Sequence, residues 1–243
     1  MHVTGSTHIG YVRSSNQDAL AYGPLGKERQ YAVVCDGMGG AAGGNVASDL
    51  ATRIISERIT EHLSSDETQC SMEHLLESAM AAANLAIYER AKADPELEGM
   101  GTTVVAVIMD GSTAYISHTG DSRAYLCRDG RLVQITRDHS VVQEMLESGQ
   151  LTEEQARSHP RRHFITRALG VEPDERGEYD ELELQPGDRV LLCTDGLTKV
   201  VDADAVSAAV SELPAEQAVE TLIQAALDGG GPDNVTAVVM ELD

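Results

Sequence analysis

The chain has 243 residues, a formal net charge of −22 and 42% hydrophobic residues, enough apolar material for one sizeable core. A length of this order allows one domain or two small ones, and no Pro- or Ser-rich linker or internal repeat divides it. A single domain over 1–243 is therefore expected. Acidity on this scale argues against nucleic acid, which needs Lys and Arg to replace counterions, and against anionic membrane surfaces; its plain use is solubility.

Met1-His2-Val3-Thr4 opens without a basic or an apolar leader region, and no apolar run approaches the ~20 residues of a membrane span. Neither a signal peptide nor a membrane partner is expected. Four cysteines (Cys35, Cys70, Cys127, Cys193) are scattered without CxxC spacing, which points to a reducing cytoplasm. Cys35 and Cys193 lie inside apolar runs and read as small buried hydrophobes.

Val3 to Tyr11 reads as a first strand, broken at Gly5 and Gly10. Arg13 stands alone before Asn16-Gln17-Asp18: either a solvated loop residue or a fork for the oxygens of an anion. Tyr31 to Cys35 is the second strand and delivers Asp36. Gly37, Gly39, Gly40 and Gly43 follow, where the chain can turn sharply and a ligand can approach the backbone. Apolar residues at helical spacing then mark Asn45 to Glu61 and Met72 to Lys92 as helices that cover a core.

Gly101-Thr102-Thr103 opens a strand through Met109, and Asp110-Gly111 is a hairpin turn. Ala114 to Thr119 pairs back and ends at Gly120-Asp121; Ser122 to Cys127 continues, Arg128 to Arg131 turns, and Leu132 to Ile135 returns. Repeated hairpins mean antiparallel sheet. Beyond Arg137-Asp138-His139-Ser140, Val141 to Gly149 and Thr152 to Ser158 read as short helices, the second capped by Thr152. His159-Pro160-Arg161-Arg162-His163 is the most basic patch of the chain. It suits a flap that grips an anionic substrate or a charge-balanced surface loop. Glu178 to Leu184 and Asp188 to Cys193 are strands around the Pro186-Gly187-Asp188 turn, and the second runs into Thr194-Asp195-Gly196. Asp202 to Leu213 and Glu216 to Leu227 are amphipathic helices with a glycine stop after Asp228; Val235 to Leu242 closes the sheet.

Asp36, Asp121, Asp195 and Asp233 thus sit at strand ends near glycine, with Asp18 a candidate fifth. Strand ends of one sheet system can converge. Carboxylates that meet without Lys or Arg neighbours repel unless divalent cations neutralise them. Oxygen donors without Cys or His at metal spacing point to Mg²⁺ or Mn²⁺ rather than Zn²⁺. The glycine-rich stretch after Asp36 lacks the Lys-Ser/Thr of a nucleotide loop, and there is no Cys-x5-Arg loop.

Seven blocks in order resemble the metal-dependent Ser/Thr protein phosphatases (the PPM, or type 2C, group) in their compact bacterial form. They are Arg13…Asn16-Gln17-Asp18, Val34 to Gly40, Gly101-Thr102-Thr103, Gly120-Asp121-Ser122-Arg123, Asp138-His139-Ser140, Thr194-Asp195-Gly196 and Asp233-Asn234. The resemblance implies an α+β fold: a central β-sandwich of two antiparallel sheets flanked on both sides by helix pairs, in α-β-β-α layers, with a flap subregion at about 140–175. It implies hydrolysis of phospho-Ser and phospho-Thr by in-line attack of a hydroxide bridging two Mg²⁺ or Mn²⁺ ions. Asp36 would bridge them, with the Gly37 carbonyl on one ion and Asp195 and Asp233 on the other. Asp121 with Asp195 would hold a third, weaker ion. Asp18 and Asn234 would stand behind these ligands, Asp18 orienting metal-bound water, and Arg13 would hold the substrate phosphate. His163, Arg161 and Arg162 fall in the flap. The implied partners are phosphorylated proteins and a Ser/Thr kinase or its substrates, with the chain a monomer. Two positions depart from the family pattern: Met38 stands where some relatives have His, and Gln17 where an acidic residue is common. The competing readings are a non-catalytic phosphatase-like binding module and a metallohydrolase of small phosphoesters.

Overall fold

The computed structural model describes residues 1–64 and 70–242. Its strands are β1 (His2–His8), β2 (Asp18–Pro24), β3 (Arg29–Met38), β4 (Gly101–Thr102), β5 (Val104–Asp110), β6 (Thr113–Thr119), β7 (Arg123–Arg128), β8 (Arg131–Gln134), β9 (Glu178–Glu183), β10 (Arg189–Cys193) and β11 (Val235–Glu241). The helices are α1 (Gly40–Ser64), α2 (Met72–Ala93), α3 (Val141–Glu147), α4 (Glu153–Arg157), α5 (Asp195–Thr198), α6 (Ala203–Glu212) and α7 (Ala215–Asp228).

The central strands are apolar on both faces because both faces are covered. In β10, Val190 and Leu192 point between the sheets while Leu191 and Cys193 point to α6 and α7, the period of two that a strand imposes. β3 behaves alike: Ala32 and Val34 face inward, Val33 and Cys35 face α1 and α2. One sheet has the order β1-β11-β10-β7-β8, the other β2-β3-β5-β6-β9 with β4 paired to β3, and every pairing is antiparallel. Val105, Val107, Ile116, Leu192 and Val238 fill the space between the sheets. Ile55, Ile59, Leu76, Met80 and Ile87 fill the α1–α2 side, and Val206, Val210, Val219 and Leu222 the α6–α7 side. The layers are those of the expected α-β-β-α sandwich.

Several boundaries differ from the expectation, each for a tertiary reason. Asp18–Pro24 is a strand although Ala, Gly and Pro are weak strand formers. It lies at a sheet edge, where Pro24 is tolerated, and β3 supplies its pairing, Asp18 opposite Asp36. α1 begins at Gly40, through glycines expected to be loop. Its first turn packs so tightly that a Cβ on Gly44 would lie 2.7 Å from the Gln17 side chain. β1 stops at His8, short of Tyr11, because Gly10 turns the chain with φ +79. β9 and β10 flank the Pro186-Gly187-Asp188 turn yet belong to different sheets, and the residues after Cys193 form a helical turn, α5.

Register decides where the aspartates go. Val34 lies opposite Val105 and Val104 opposite Thr119, so β3 and β6 finish at the same end of one sheet. Cys193 pairs with Ala237 and with Arg123, and Val235 with His8, so the other sheet presents the end of β10, the start of β11 and the end of β1 to that same side.

Candidate metal and phosphate site

At this end of the sandwich a cavity of about 630 Å³ opens, lined by Arg13, Gln17, Asp36, Gly37, Thr103, Asp121, His163, Asp195, Lys199, Asp233 and Asn234 among others. Asp36 leaves β3 with its backbone clamped. Its N–H donates to Thr103 Oγ1 (3.1 Å), and its carbonyl accepts from the Thr103 N–H (2.9 Å) and the Thr102 hydroxyl (2.9 Å). Gly37 is pressed against α1: a Cβ there would stand 2.1 Å from the Gly44 carbonyl oxygen, so only glycine fits. Asp121 follows Gly120, whose φ of +99 and contact with Thr103 exclude a side chain. The same turn is braced by His139, whose N–H donates to the Gly120 carbonyl (2.9 Å) while its Nδ1 accepts from the Gly120 N–H (3.1 Å). Arg123 forks onto Asp138 at 2.8 and 2.6 Å, fixing that segment.

Asp18 lies behind the cavity. From the edge of one sheet, its Oδ2 accepts from Thr194 (2.9 Å) and Thr236 (2.7 Å) of the other, while its Oδ1 is buried without a partner. Asn234 anchors the Arg13 loop. Its amide donates to the carbonyls of Ile9 (2.8 Å) and Ser15 (3.0 Å), and its oxygen accepts from the Gln17 N–H (2.8 Å). Arg13, half-exposed at the mouth, reaches Asp233 Oδ2 at 2.8 Å. Lys199 pairs with Asp195 Oδ2 across one turn of α5, leaving Asp195 Oδ1 buried and unpaired.

The electrostatics follow from this crowding. Burial, opposed by the two threonine hydroxyls, and then the charges of Asp195 and Asp233 push Asp18 up to about 7. Burial and Asp195 bring Asp121 up to about 7 against the pull of Lys199. Asp36 is held well above the carboxylate range by burial and then by Asp18, Asp195, Asp121 and Asp233. Withdrawal from water, with Lys199 and Arg162 nearby, lowers His163, so its imidazole is mainly neutral at pH 7.

Asp36, Gly37, Asp121, Asp195, Asp233, Arg13, Asn234 and His163 all line this one cavity, Asp18 stands behind it, and Arg161 and Arg162 stay exposed outside it. Lys199 and Thr236 were not singled out from the sequence; Thr103 and Thr194 stand in two of the motif blocks, without a role assigned to them. The one signal for Lys199 was its spacing of four from Asp195. Among the described residues, the single group of three or more His, Cys, Asp or Glu whose ligand atoms all fall within 4.8 Å of one another is elsewhere: His118, His139 and Glu178. There His118 Nε2 faces the Arg137 carbonyl (2.8 Å), His139 uses both ring nitrogens, and Arg167 lies on Glu178 at 2.9 Å, so a cation is already in place. The cavity aspartates stand farther apart, two of them held by Arg13 and Lys199. Their donor set fits hard divalent cations: only oxygen, with buried oxygens on Asp18 and Asp195 lacking any partner.

The protein phosphatase 2C family model matches residues 4–229. The chain belongs to this family. It is 40% identical over 236 residues to the Ser/Thr protein phosphatase PstP of Mycobacterium tuberculosis, covering 96% of this chain and 43% of PstP. It thus spans less than half the length of that relative. The Ser/Thr phosphatase stp of Listeria innocua is 35% identical, with 99% of this chain and 96% of that protein covered. Among solved structures, M. tuberculosis PstP/Ppp superposes with a TM-score of 0.90 at 38% identity, covering all of this chain and 98% of the other. The PstP catalytic domain in complex with two manganese ions reaches 0.86 at 36% identity, with the same coverage. Among the described residues no helix is long and apolar enough to cross a membrane.

Proposed function

We propose that the chain is a Mg²⁺- or Mn²⁺-dependent protein Ser/Thr phosphatase acting on phosphoproteins in the cytoplasm, folded as one catalytic domain with a flap at about 140–175. The observation that carries this is the cavity itself: Asp36, Asp121, Asp195 and Asp233 around one opening, with Asp195 Oδ1 buried and unpaired and only Arg13 and Lys199 as permanent cations in its lining. Asp36, the Gly37 carbonyl, Asp195 and Asp233 would hold the two ions. When bound, such ions neutralise the carboxylates, lower the pKa of water and stabilise the phosphoryl oxygens.

The chain's own groups supply the rest. Arg13 uses one nitrogen on Asp233 and keeps further N–H donors at the mouth, in a fork that matches phosphate oxygens. Asn234 sets the position of that fork through its three bonds to the 9–17 segment. Asp18, tied to Thr194 and Thr236, stands behind the cavity and offers its free oxygen as a hydrogen-bond acceptor. His163 and water are the two sources of the proton for the departing Ser or Thr oxygen, and His163 lines the cavity with its pKa lowered by withdrawal from water. The test is hydrolysis of phosphopeptides with Mn²⁺ and with EDTA. Turnover in Mn²⁺ that EDTA abolishes is expected, and full activity in EDTA would sink the assignment.

A further inference from the structure

Lys199 is a positive charge placed among carboxylates that the metal reading needs. It caps the four-residue turn α5 that begins at Asp195, with its N–H on the Asp195 carbonyl at 2.9 Å. That turn sends its side chain back over Asp195, and the pair is 29% and 13% exposed, so water screens it only in part. The ammonium lines the same cavity as Asp36 and Asp121. After burial, which opposes its charge, the strongest influences on it are Asp195, then Asp121 and Asp36. Seen from Asp121, Lys199 is the leading positive charge, ahead of Arg123. The corner between Asp121 and Asp195 therefore already contains a cation.

We propose that Lys199 is a tethered cation that takes the place of a third divalent ion at the Asp121–Asp195 corner, so that this chain loads two ions where the same aspartates alone would load three. Resting on the proposed metal site, this adds a specificity-determining residue to it. One Asp195 oxygen is held by Lys199, while the other remains unpaired and free for an ion shared with Asp36. A further dication beside the ammonium would meet like charge at contact range, where Coulomb repulsion is large in a part-buried setting. Because the lysine is covalently attached, its neutralising charge does not depend on the metal concentration.

The experiment is Mn²⁺ titration of the metal-free full chain by calorimetry, with free Mn²⁺ followed independently by electron paramagnetic resonance. The variants are Lys199→Gln, Lys199→Arg, Asp121→Asn and the double variant Lys199→Gln/Asp121→Asn. Wild type and Lys199→Arg should bind the same number of ions. Lys199→Gln should bind one more, or tighten its weakest step by at least about tenfold, the scale of one charge at contact. Asp121→Asn should cancel that gain. Identical isotherms for wild type and Lys199→Gln would overturn the proposal. So would a weak third ion in wild type that Asp121→Asn removes. No Mn²⁺ uptake by wild type would instead remove the metal site itself, and with it this role for Lys199.

Discussion

The floor of the cavity and the 140–175 segment proposed as a flap hold their polar residues in opposite ways. On the floor, Asp36, Gly37, Asp121 and Asp18 sit at the ends of paired strands; Thr102 and Thr103 tie the Asp36 backbone, and Thr194 and Thr236 of the other sheet tie the Asp18 carboxylate. In the flap, α3 and α4 lead into the basic 159–163 segment. That segment rejoins the body through the isolated Ser140–Ile165 bridge, the Val141 N–H on the Phe164 carbonyl (2.9 Å) and the Thr166 N–H on the His139 carbonyl (2.8 Å). Phe164 is 59% exposed there, and Arg161 and Arg162 are exposed. The difference teaches a division of labour. Groups that must meet a small ion within tenths of an ångström belong on a rigid, doubly packed frame, while groups that meet a variable protein substrate tolerate a loose one.

The sharpest way to break this comparison is Asp36→Asn. It removes one charge while keeping the shape, and kcat should fall on the order of 10³-fold or more, beyond the loss of a single transition-state donor. Phosphopeptide turnover at saturating Mn²⁺ checks it; a loss under tenfold would place the chemistry elsewhere. Arg13→Ala comes next. With its charged hydrogen bonds worth about 1.5–3 kcal/mol, KM for phosphopeptide should rise ~10–100-fold. Mn²⁺ affinity should hold or tighten, since a competing cation leaves Asp233. An unchanged KM would remove Arg13 from the phosphate.

A third expectation concerns pH. Asp18 and Asp121 are pushed up from 3.8 to about 7, and burial beside the other aspartates raises Asp36 well above 3.8. Groups raised in the folded state contribute stability that is complete below 3.8 and is lost as pH rises through about 7. The metal-free protein should therefore lose this contribution between pH 4 and 7. Bound cations favour the deprotonated carboxylates, so the Tm gain from Mn²⁺ should widen from pH 5 to 8. Differential scanning fluorimetry with and without Mn²⁺ reads it, and a gain independent of pH would contradict the carboxylate cluster. The smallest effect belongs to the flap. Arg161→Ala and Arg162→Ala, exposed and outside the cavity lining, should change stability by within about 0.5 kcal/mol and leave kcat intact, the only response being a modest KM shift. A large kcat loss there would merge the two regions into one.

Much of the frame was legible from local signals. Period-two runs, the Asp110-Gly111 turn and the Arg128–Arg131 turn announced antiparallel sheet, and the spacing of apolar residues announced α1, α2, α6 and α7. The seven motif blocks named the family that the comparisons show. β2 escaped because Asp-Ala-Leu-Ala-Tyr-Gly-Pro has little preference of its own and borrows its conformation from β3. α1 was entered late because three glycines read as loop, although their lack of side chains is what lets the helix press on Gly37 and Gln17. Lys199 was passed over because α5 is too short to show a period.

The amino-acid sequence alone determined which residues are ionisable, which runs are apolar enough to form core strands, and that acidic groups stand at strand ends beside glycine; these depend on neighbours a few positions away. Only the tertiary structure decided that Asp18 bonds Thr194 and Thr236, 176 and 218 positions distant, that Arg13 rests on Asp233, and that Lys199 stands among the aspartates. Those meetings arise from the pairing registers of two sheets packed face to face, and a register couples segments whose local preferences carry no record of one another.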